Sequence, residues 1–165
     1  MYYIGLDIGT SSVKALLVSA DGEVLDSATP EYSFQTPKPL WAETDPEVWW
    51  DATCKAIRSL LGEVKASEIA AVGLTGQMHG MVALDSKGKV LRPCIMWNDQ
   101  RSFRECDEIT RMVGESEILR ITGNPVLAGF TAPKVLWVKN NEPEHFSKRA
   151  KVLLPKDYLR LLLTG

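Results

Sequence analysis

The chain has 165 residues, of which 45% are hydrophobic and 24% are charged, a composition typical of a folded domain with its own core. Its formal net charge of −2 provides no basic surface, which argues against a nucleic-acid partner. Its longest apolar runs fall far short of the roughly 18 residues of a membrane span. Cys54, Cys94 and Cys106 form no C-x-x-C motif, which predicts reduced cysteines in a cytoplasmic protein.

Three strands are predicted at the start of the chain. Apolar residues in a strand-like pattern indicate strands over residues 2–10, 13–19 and 23–34. Asp21 and Gly22 form a typical hairpin turn between the second and the third strand. We therefore expect these three strands to pair antiparallel.

A helix and a returning strand are predicted next. Asp45 supplies an N-cap acceptor, Pro46 suits the first helical position, and Glu47 places an acid in the first turn. Apolar residues at helical spacing continue to Gly62, and a buried strand is expected over residues 69–75. Further strands are predicted at residues 81–84, 90–91, 94–97 and 151–154, and further helices at 103–113, 115–121, 132–140, 143–149 and 156–163. This order indicates an α/β domain with a mixed sheet.

The end of the first strand combines a carboxylate with a polar turn. Asp7 lies in an apolar strand, where a charge is costly to bury unless it is paired or bound to a metal. Gly9 permits a tight turn, and Thr10, Ser11 and Ser12 supply hydroxyl and backbone N–H donors suited to an anion. An ordinary hairpin turn beside a solvated Asp7 is the alternative interpretation.

The stretch from Asp7 to Lys14 resembles the first phosphate motif of the actin-like ATPase superfamily, D-x-G-T-[ST]-x-x-[KR]. It has the spacing of neither the Walker A loop nor the dinucleotide fingerprint. The resemblance implies a ribonuclease-H-like fold, in agreement with the predicted order of strands. It leaves sugar kinases, heat-shock ATPases and actin-like proteins open.

Two polar loops suit a polyhydroxylated ligand. In the first loop, Gln77 and His79 offer hydrogen bonds, whereas the alternative makes His79 a turn residue and Met78 a gap-filling core residue. In the second loop, Trp97 offers an aromatic face for sugar C–H groups, beside Asp99 and Arg101. The alternative is core packing for Trp97 and a weak surface ion pair between Asp99 and Arg101.

The chain as a whole resembles the N-terminal part of a carbohydrate kinase of the FGGY family. Besides residues 7–14, the matching segments follow in family order: 41–50 (WAETDPEVWW), 76–80 (GQMHG), 91–99 (LRPCIMWND), 122–124 (TGN), 129–134 (GFTAPK) and 153–159 (LLPKDYL). The GQMHG and GFTAPK segments are the most specific of these. Within the family, the pattern is most similar to the members that phosphorylate D-xylulose.

The resemblance implies that the whole protein transfers the γ-phosphoryl group of ATP, bound with Mg²⁺, to D-xylulose. Asp7 would hold the metal. The residues that would contact the nucleotide phosphates are Asp7, Gly9, Thr10, Ser11, Ser12 and Lys14. The residues that would shape the sugar pocket are Gln77, Met78, His79, Trp97 and Asp99.

The same resemblance implies that residues 1–165 are the N-terminal part of the first of two domains. The catalytic aspartate is expected beyond Gly165, so residues 1–165 alone are expected to be inactive. The resemblance allows a homodimer as the state of the whole protein. The alternatives are another sugar or polyol kinase of this family, a catalytically silent sugar-binding fragment, and an actin-like ATPase with a mechanical role.

Overall fold

A computed structural model describes residues 1–62 and 64–165. Its strands are β1 (Tyr2–Ile8), β2 (Val13–Ser19), β3 (Val24–Ala28), β4 (Glu43–Thr44), β5 (Ile69–Gly76), β6 (Val82–Leu84), β7 (Cys94–Ile95) and β8 (Lys151–Leu153). Its helices are α1 (Pro46–Leu60), α2 (Phe103–Val113), α3 (Glu115–Thr122), α4 (Thr131–Asn141), α5 (Pro143–Lys148) and α6 (Pro155–Thr164). None of the helices among these residues is long and apolar enough to cross a membrane.

The chain divides into two compact units. Unit 1 comprises Met1–Phe34, Asp45–Gln77 and Pro155–Gly165, and unit 2 comprises Gln35–Thr44 and Met78–Leu154. The main sheet lies in unit 1, and its four strands have the order β3-β2-β1-β5. The first three strands pair antiparallel, as predicted, whereas β5 runs parallel to β1, so the sheet is mixed.

The core of unit 1 forms between one face of this sheet and helix α1. Alternate residues of β1 and β2 point to this face, and their side chains are almost fully buried: Ile4, Leu6, Ile8, Val13, Ala15 and Leu17. Trp49 of α1 is completely buried as well. The helix begins as predicted, because the Asp45 carboxylate accepts a hydrogen bond of 3.0 Å from the Glu47 N–H.

Two predicted strands of unit 1 are shorter in the structure. β1 ends at Ile8, since the Gly9 N–H donates to the Ser12 carbonyl at 2.9 Å and closes a turn there. β3 ends at Ala28 instead of extending to Phe34. Pro30 has no N–H to continue a ladder, and its carbonyl accepts a bond of 3.1 Å from the Val13 N–H.

The prediction of a strand over residues 69–75 is confirmed, but the prediction that this strand is buried is wrong. The strand exists as β5, but residues 70–73 are exposed among the residues that the structure describes. The reason is that β5 lies at the edge of the sheet beyond β1, whereas helix α1 packs mainly on β2 and β3. Its apolar sequence is therefore an unreliable sign of burial in this chain.

Unit 2 contains short two-stranded pairs and helices α2 to α5. β4 pairs with β7, and β6 pairs with β8, both antiparallel. The strand predicted over residues 94–97 is shortened to β7, because a turn begins where the Asp99 N–H donates to the Met96 carbonyl at 3.2 Å. Helix α2 stops at Gly114, as predicted, where φ is 89°. The apolar core of unit 2 is built from Met81, Ala83, Ile95, Trp137 and Val138.

Candidate active site: a phosphate turn and a sugar-type loop

The turn from Gly9 to Ser12, called here the phosphate turn, is fixed by bonds to its carbonyl groups. The Gly9 carbonyl accepts a hydrogen bond from Gln77 Nε2 at 3.0 Å and lies 2.7 Å from the Tyr32 hydroxyl. The Ser11 carbonyl accepts from the Tyr32 N–H at 2.9 Å, and the Ser12 carbonyl accepts from Gly9. Because these acceptors are occupied by the protein, the turn offers mainly donors to a ligand, including the exposed hydroxyl of Ser11.

Asp7 and Lys14 lie next to this turn on the open face of the sheet. They are directly opposite each other in the antiparallel register of β1 and β2, and both are exposed. They line a shallow cavity of about 390 Å³ together with Gly5 and Gly73, which are also cross-strand partners. Since neither glycine carries a side chain, the sheet surface beside the carboxylate is bare.

The environment of Asp7 fits a hydrated magnesium ion. Among the described residues, no group of three or more His, Cys, Asp or Glu side chains is close enough to hold a metal. Asp7 could contribute one carboxylate ligand from the described residues. Mg²⁺ commonly retains several waters and binds one or two carboxylates together with substrate phosphates, so this donor set suits it.

Tyr32 is a residue of this site that sequence reasoning missed. Its hydroxyl lies 2.7 Å from the Gly9 carbonyl and 3.0 Å from the Ser12 carbonyl. Burial raises the pKa of Tyr32 well above its usual range, and the nearby Asp7 charge raises it further. The phenol therefore stays protonated and can serve as a donor that fixes the turn.

In unit 2, Met78 and His79 form an accessible loop. The Met78 side chain is 60% exposed, which leaves an apolar surface open to a ligand. His79 has a φ of 58°, a left-handed conformation that is uncommon for a residue other than glycine. Burial lowers the pKa of His79, and the Lys134 charge lowers it further, so the imidazole is neutral at pH 7.

Trp97 and Asp99 have very different environments. The Trp97 side chain is 42% exposed, as expected for a sugar-facing aromatic residue. Asp99 is completely buried, accepts a bond of 2.7 Å from the Ala42 N–H, and pairs with Arg101 at 2.7 Å. The alternative interpretation of this pair as a surface ion pair is wrong, because the Arg101 side chain is only 1% exposed.

Asp99 and Arg101 belong to a larger buried network. Glu43 Oε1 accepts bonds of 2.6 Å from both Arg92 Nη2 and Arg101 Nη1. The Arg101 guanidinium lies 3.7 Å from the centre of the Trp41 ring, a cation–π contact. The network orients the chain just after Trp97 and supplies the Asp99 carboxylate with hydrogen-bond donors in place of solvent.

Lys134 is a second residue whose importance sequence reasoning missed. It lies in α4 and its side chain is completely buried. Its Nζ donates to the carbonyls of His79, at 2.9 Å, and Gly129, at 2.5 Å. The available signal was a lysine within the GFTAPK segment, on the same helical face as the buried Trp137 and Val138.

The predicted site residues thus fall into two groups. The structure brings together the phosphate-turn residues, Asp7, Lys14 and Gln77 in unit 1. Gln77 was predicted to face a sugar, but its amide nitrogen is engaged with the phosphate turn. Met78, His79, Trp97 and Asp99 lie in unit 2.

The mixed sheet with this turn at the end of its first strand has the arrangement expected for the actin-like ATPase fold class. A xylulose kinase of Rhodospirillum rubrum superimposes with a TM-score of 0.94 and 34% identity, over 98% of this chain and 34% of that one. A gluconate kinase of Lactobacillus acidophilus gives a TM-score of 0.87 and 30% identity, over 95% of this chain and 32% of that one. The predicted fold class is confirmed.

The sequence comparisons give the family. The profile described as "FGGY family of carbohydrate kinases, N-terminal domain" matches residues 2–165. The xylulose kinase of Escherichia coli (strain K12) is 49% identical over 99% of this chain and 33% of its own length. The chain belongs to the FGGY family of carbohydrate kinases, and it spans about a third of the length of the curated relatives it matches.

Proposed function

We propose that the protein containing this chain transfers the γ-phosphoryl group of ATP, bound with Mg²⁺, to D-xylulose. Similarity to proteins named xylulose kinase, which reaches 49% identity for the Escherichia coli protein, supports this sugar. The reduced state of Cys54, Cys94 and Cys106, all unpaired, is compatible with a cytoplasmic location.

The phosphate turn is the observation that carries the proposal. Its carbonyls accept hydrogen bonds from the chain itself, and an exposed carboxylate, that of Asp7, lies next to it, an arrangement that suits a ligand that is both anionic and metal-bound. A nucleotide phosphate with Mg²⁺ has these two properties. Phosphoryl transfer depends mainly on positioning and charge neutralisation, which such a turn can provide.

In this proposal each group of residues has its own substrate. Asp7 holds Mg²⁺ directly or through water, while Lys14 and the phosphate turn contact the phosphates. Met78, His79 and Trp97 contact the sugar, and Asp99 orients the loop that carries Trp97. The catalytic aspartate would lie outside residues 1–165, so these residues alone would not catalyse the transfer.

The test uses the full-length protein in a coupled assay of ADP release with D-xylulose. Asp7→Asn should reduce kcat/KM by roughly 100-fold or more, because it removes the charge that anchors the metal. Asp26→Asn is the matched control, since Asp26 lies on β3 of the same sheet. It should leave turnover unchanged.

Two results would contradict the proposal. Turnover of Asp7→Asn within a few-fold of the unaltered protein would remove Asp7 from the metal site. A higher kcat/KM for gluconate or glycerol than for D-xylulose would show that the proposed sugar is wrong, although the protein would still be a kinase.

A further inference from the structure

The backbone of His79 has a left-handed conformation, which is uncommon for a residue other than glycine. A φ of 58° brings the Cβ of an L-residue close to its own backbone, and such conformations persist only where the surroundings determine them. The surroundings hold the His79 backbone through its carbonyl oxygen. This oxygen accepts hydrogen bonds from Thr131 Oγ1, at 3.2 Å, and from Lys134 Nζ, at 2.9 Å.

The segment from Gly129 to Lys134, called here the clamp segment, also contacts the loop that carries Trp97. A Cβ atom at Gly129 would lie 3.0 Å from the Trp97 carbonyl oxygen, so the two backbones are in close approach. Lys134 Nζ donates to the Gly129 carbonyl while it donates to His79. One ammonium group therefore ties the His79 backbone to the segment that packs on Trp97.

The side chain of His79 is fixed by the same segment. Its ring lies against the Phe130 ring, with centroids 4.6 Å apart and an angle of 48° between the planes. This contact restrains the ring of His79, and the bonds from Thr131 and Lys134 restrain its backbone. Both restraints come from three neighbouring residues of the clamp segment.

Filling space in the core is a poor explanation for the presence of a lysine at position 134. A buried ammonium group is costly, and a hydrophobic side chain of similar length would fill the same space without this cost. The nearby charged side chains are those of Asp99 and Arg101, and Asp99 is already paired with Arg101. The bonds of Lys134 to two loop carbonyls are what a hydrophobic replacement would lose.

We propose that Thr131 and Lys134 are positioning residues of the sugar pocket, which hold the Met78–His79 loop in register with Trp97 through the carbonyl of His79. This inference rests on the proposed function, because it assigns the loop to the sugar. It makes no claim that either residue touches a substrate. It predicts that removal of the donor group of Thr131 or Lys134 raises the KM for the sugar and leaves the KM for ATP nearly unchanged.

The first test measures steady-state kinetics of the full-length protein with D-xylulose and ATP varied separately. Lys134→Met should raise the KM for D-xylulose roughly tenfold, as expected when the His79 and Gly129 carbonyls lose the bonds from the ammonium group, and should change the KM for ATP less than twofold. Lys139→Met is the matched control, because Lys139 lies in the same helix and is exposed. It should change neither KM.

The second test uses a milder pair of variants, since Lys134→Met removes a buried charge and is able to impair folding. Thr131→Val keeps the shape of the side chain but removes the hydroxyl donor, and should raise the KM for D-xylulose about threefold. Thr131→Ser retains a hydroxyl and should restore the KM of the unaltered protein. A purely structural effect of the methyl group would give the opposite order of the two variants.

The outcomes separate the inference from the proposed function. If the unaltered protein shows no ADP release that depends on D-xylulose, the proposed function is wrong and the inference falls with it. If it is active, but Thr131→Val leaves the KM for D-xylulose unchanged or raises both KM values equally, the inference alone is wrong. A selective rise that is reversed by Thr131→Ser supports it.

Discussion

Unit 1 and unit 2 are stabilised in different ways. The core of unit 1 is built from apolar residues of β1, β2 and α1, such as Leu6 and Trp49, which are 2% and 0% exposed. Unit 2 also buries apolar residues, such as Met81 and Leu84, but it contains in addition the buried charged side chains of Glu43, Asp99 and Arg101 in direct contact. Burial of apolar area stabilises both units, and unit 2 adds a network of buried charges in which the loss of one partner is costly.

The difference predicts how each unit responds to substitution. An apolar core tolerates changes that conserve volume, because any side chain that fills the space recovers most of the free energy. A buried charge network does not, since removal of one member leaves its partners charged and unpaired. The residues proposed to bind the sugar lie in the unit that is less tolerant.

The largest effect on stability is expected for Arg101→Met in unit 2. It would leave the fully buried Asp99 carboxylate without its counter-charge, which costs about 3–5 kcal/mol of the free energy of unfolding. Urea denaturation measures this change. Arg120→Met is the control, because the Arg120 side chain is 70% exposed in its pair with Glu117, and a loss of at most ~1 kcal/mol is expected. Equal losses in the two variants would refute the comparison.

A smaller effect, dependent on pH, is expected from Lys134. Burial lowers the pKa of Lys134 to about 8, below the usual value of 10.5. Between these values the unfolded chain binds the additional proton, so the contribution of Lys134 to stability rises with pH. The free energy of unfolding of the unaltered protein, relative to Lys134→Met, should increase by about 2 kcal/mol between roughly pH 7 and pH 10.

The variant isolates Lys134 from its neighbours in that experiment. Cys94, Asp99, Arg101 and His79 face the ammonium group and are present in both proteins. The Lys134 charge lowers the pKa of both His79 and Cys94, but burial keeps the pKa of His79 below its usual value of 6.5 and raises that of Cys94 to about 12, so both titrate mainly outside this pH range. A difference that stays constant or falls over this pH range would mean that the two carbonyl bonds of Lys134 outweigh its burial.

The smallest effect is expected for Leu6→Met in unit 1. The two side chains have similar volumes, and a flexible methionine can fill the space that leucine leaves, so the loss should be under about 1.5 kcal/mol. Urea denaturation again measures it. A loss as large as that of Arg101→Met would show that the core of unit 1 tolerates substitution no better than the charge network of unit 2.

The features that sequence reasoning predicted correctly are those fixed by nearby residues. Helix α1 begins at Pro46 because Asp45 caps it, and α2 ends at Gly114 because only a residue that tolerates positive φ continues the chain there. The antiparallel order of β1, β2 and β3 follows from short connections. Each of these signals lies within a few residues of its effect.

The features that it missed depend on residues far apart in the chain. Tyr32 reaches the phosphate turn from 23 residues beyond Gly9, and Lys134 reaches His79 across 55 residues. The burial of Asp99 depends on Arg101, on Glu43 and on the Ala42 N–H. No periodicity in the sequence reports such contacts. The exposure of β5 was missed because an apolar strand reads the same at an edge as in the middle of a sheet.

The distribution of tryptophan gives each unit an optical reporter of its own. Trp49 is completely buried in unit 1, while Trp41 and Trp137 form an edge-to-face pair in unit 2, with ring centroids 5.3 Å apart. Indole emission shifts to longer wavelength when a buried ring reaches water. Variants that keep the tryptophan of only one unit would therefore follow that unit alone as denaturant is added. Coincident transitions would mean that unit 1 and unit 2 unfold together as a single cooperative structure.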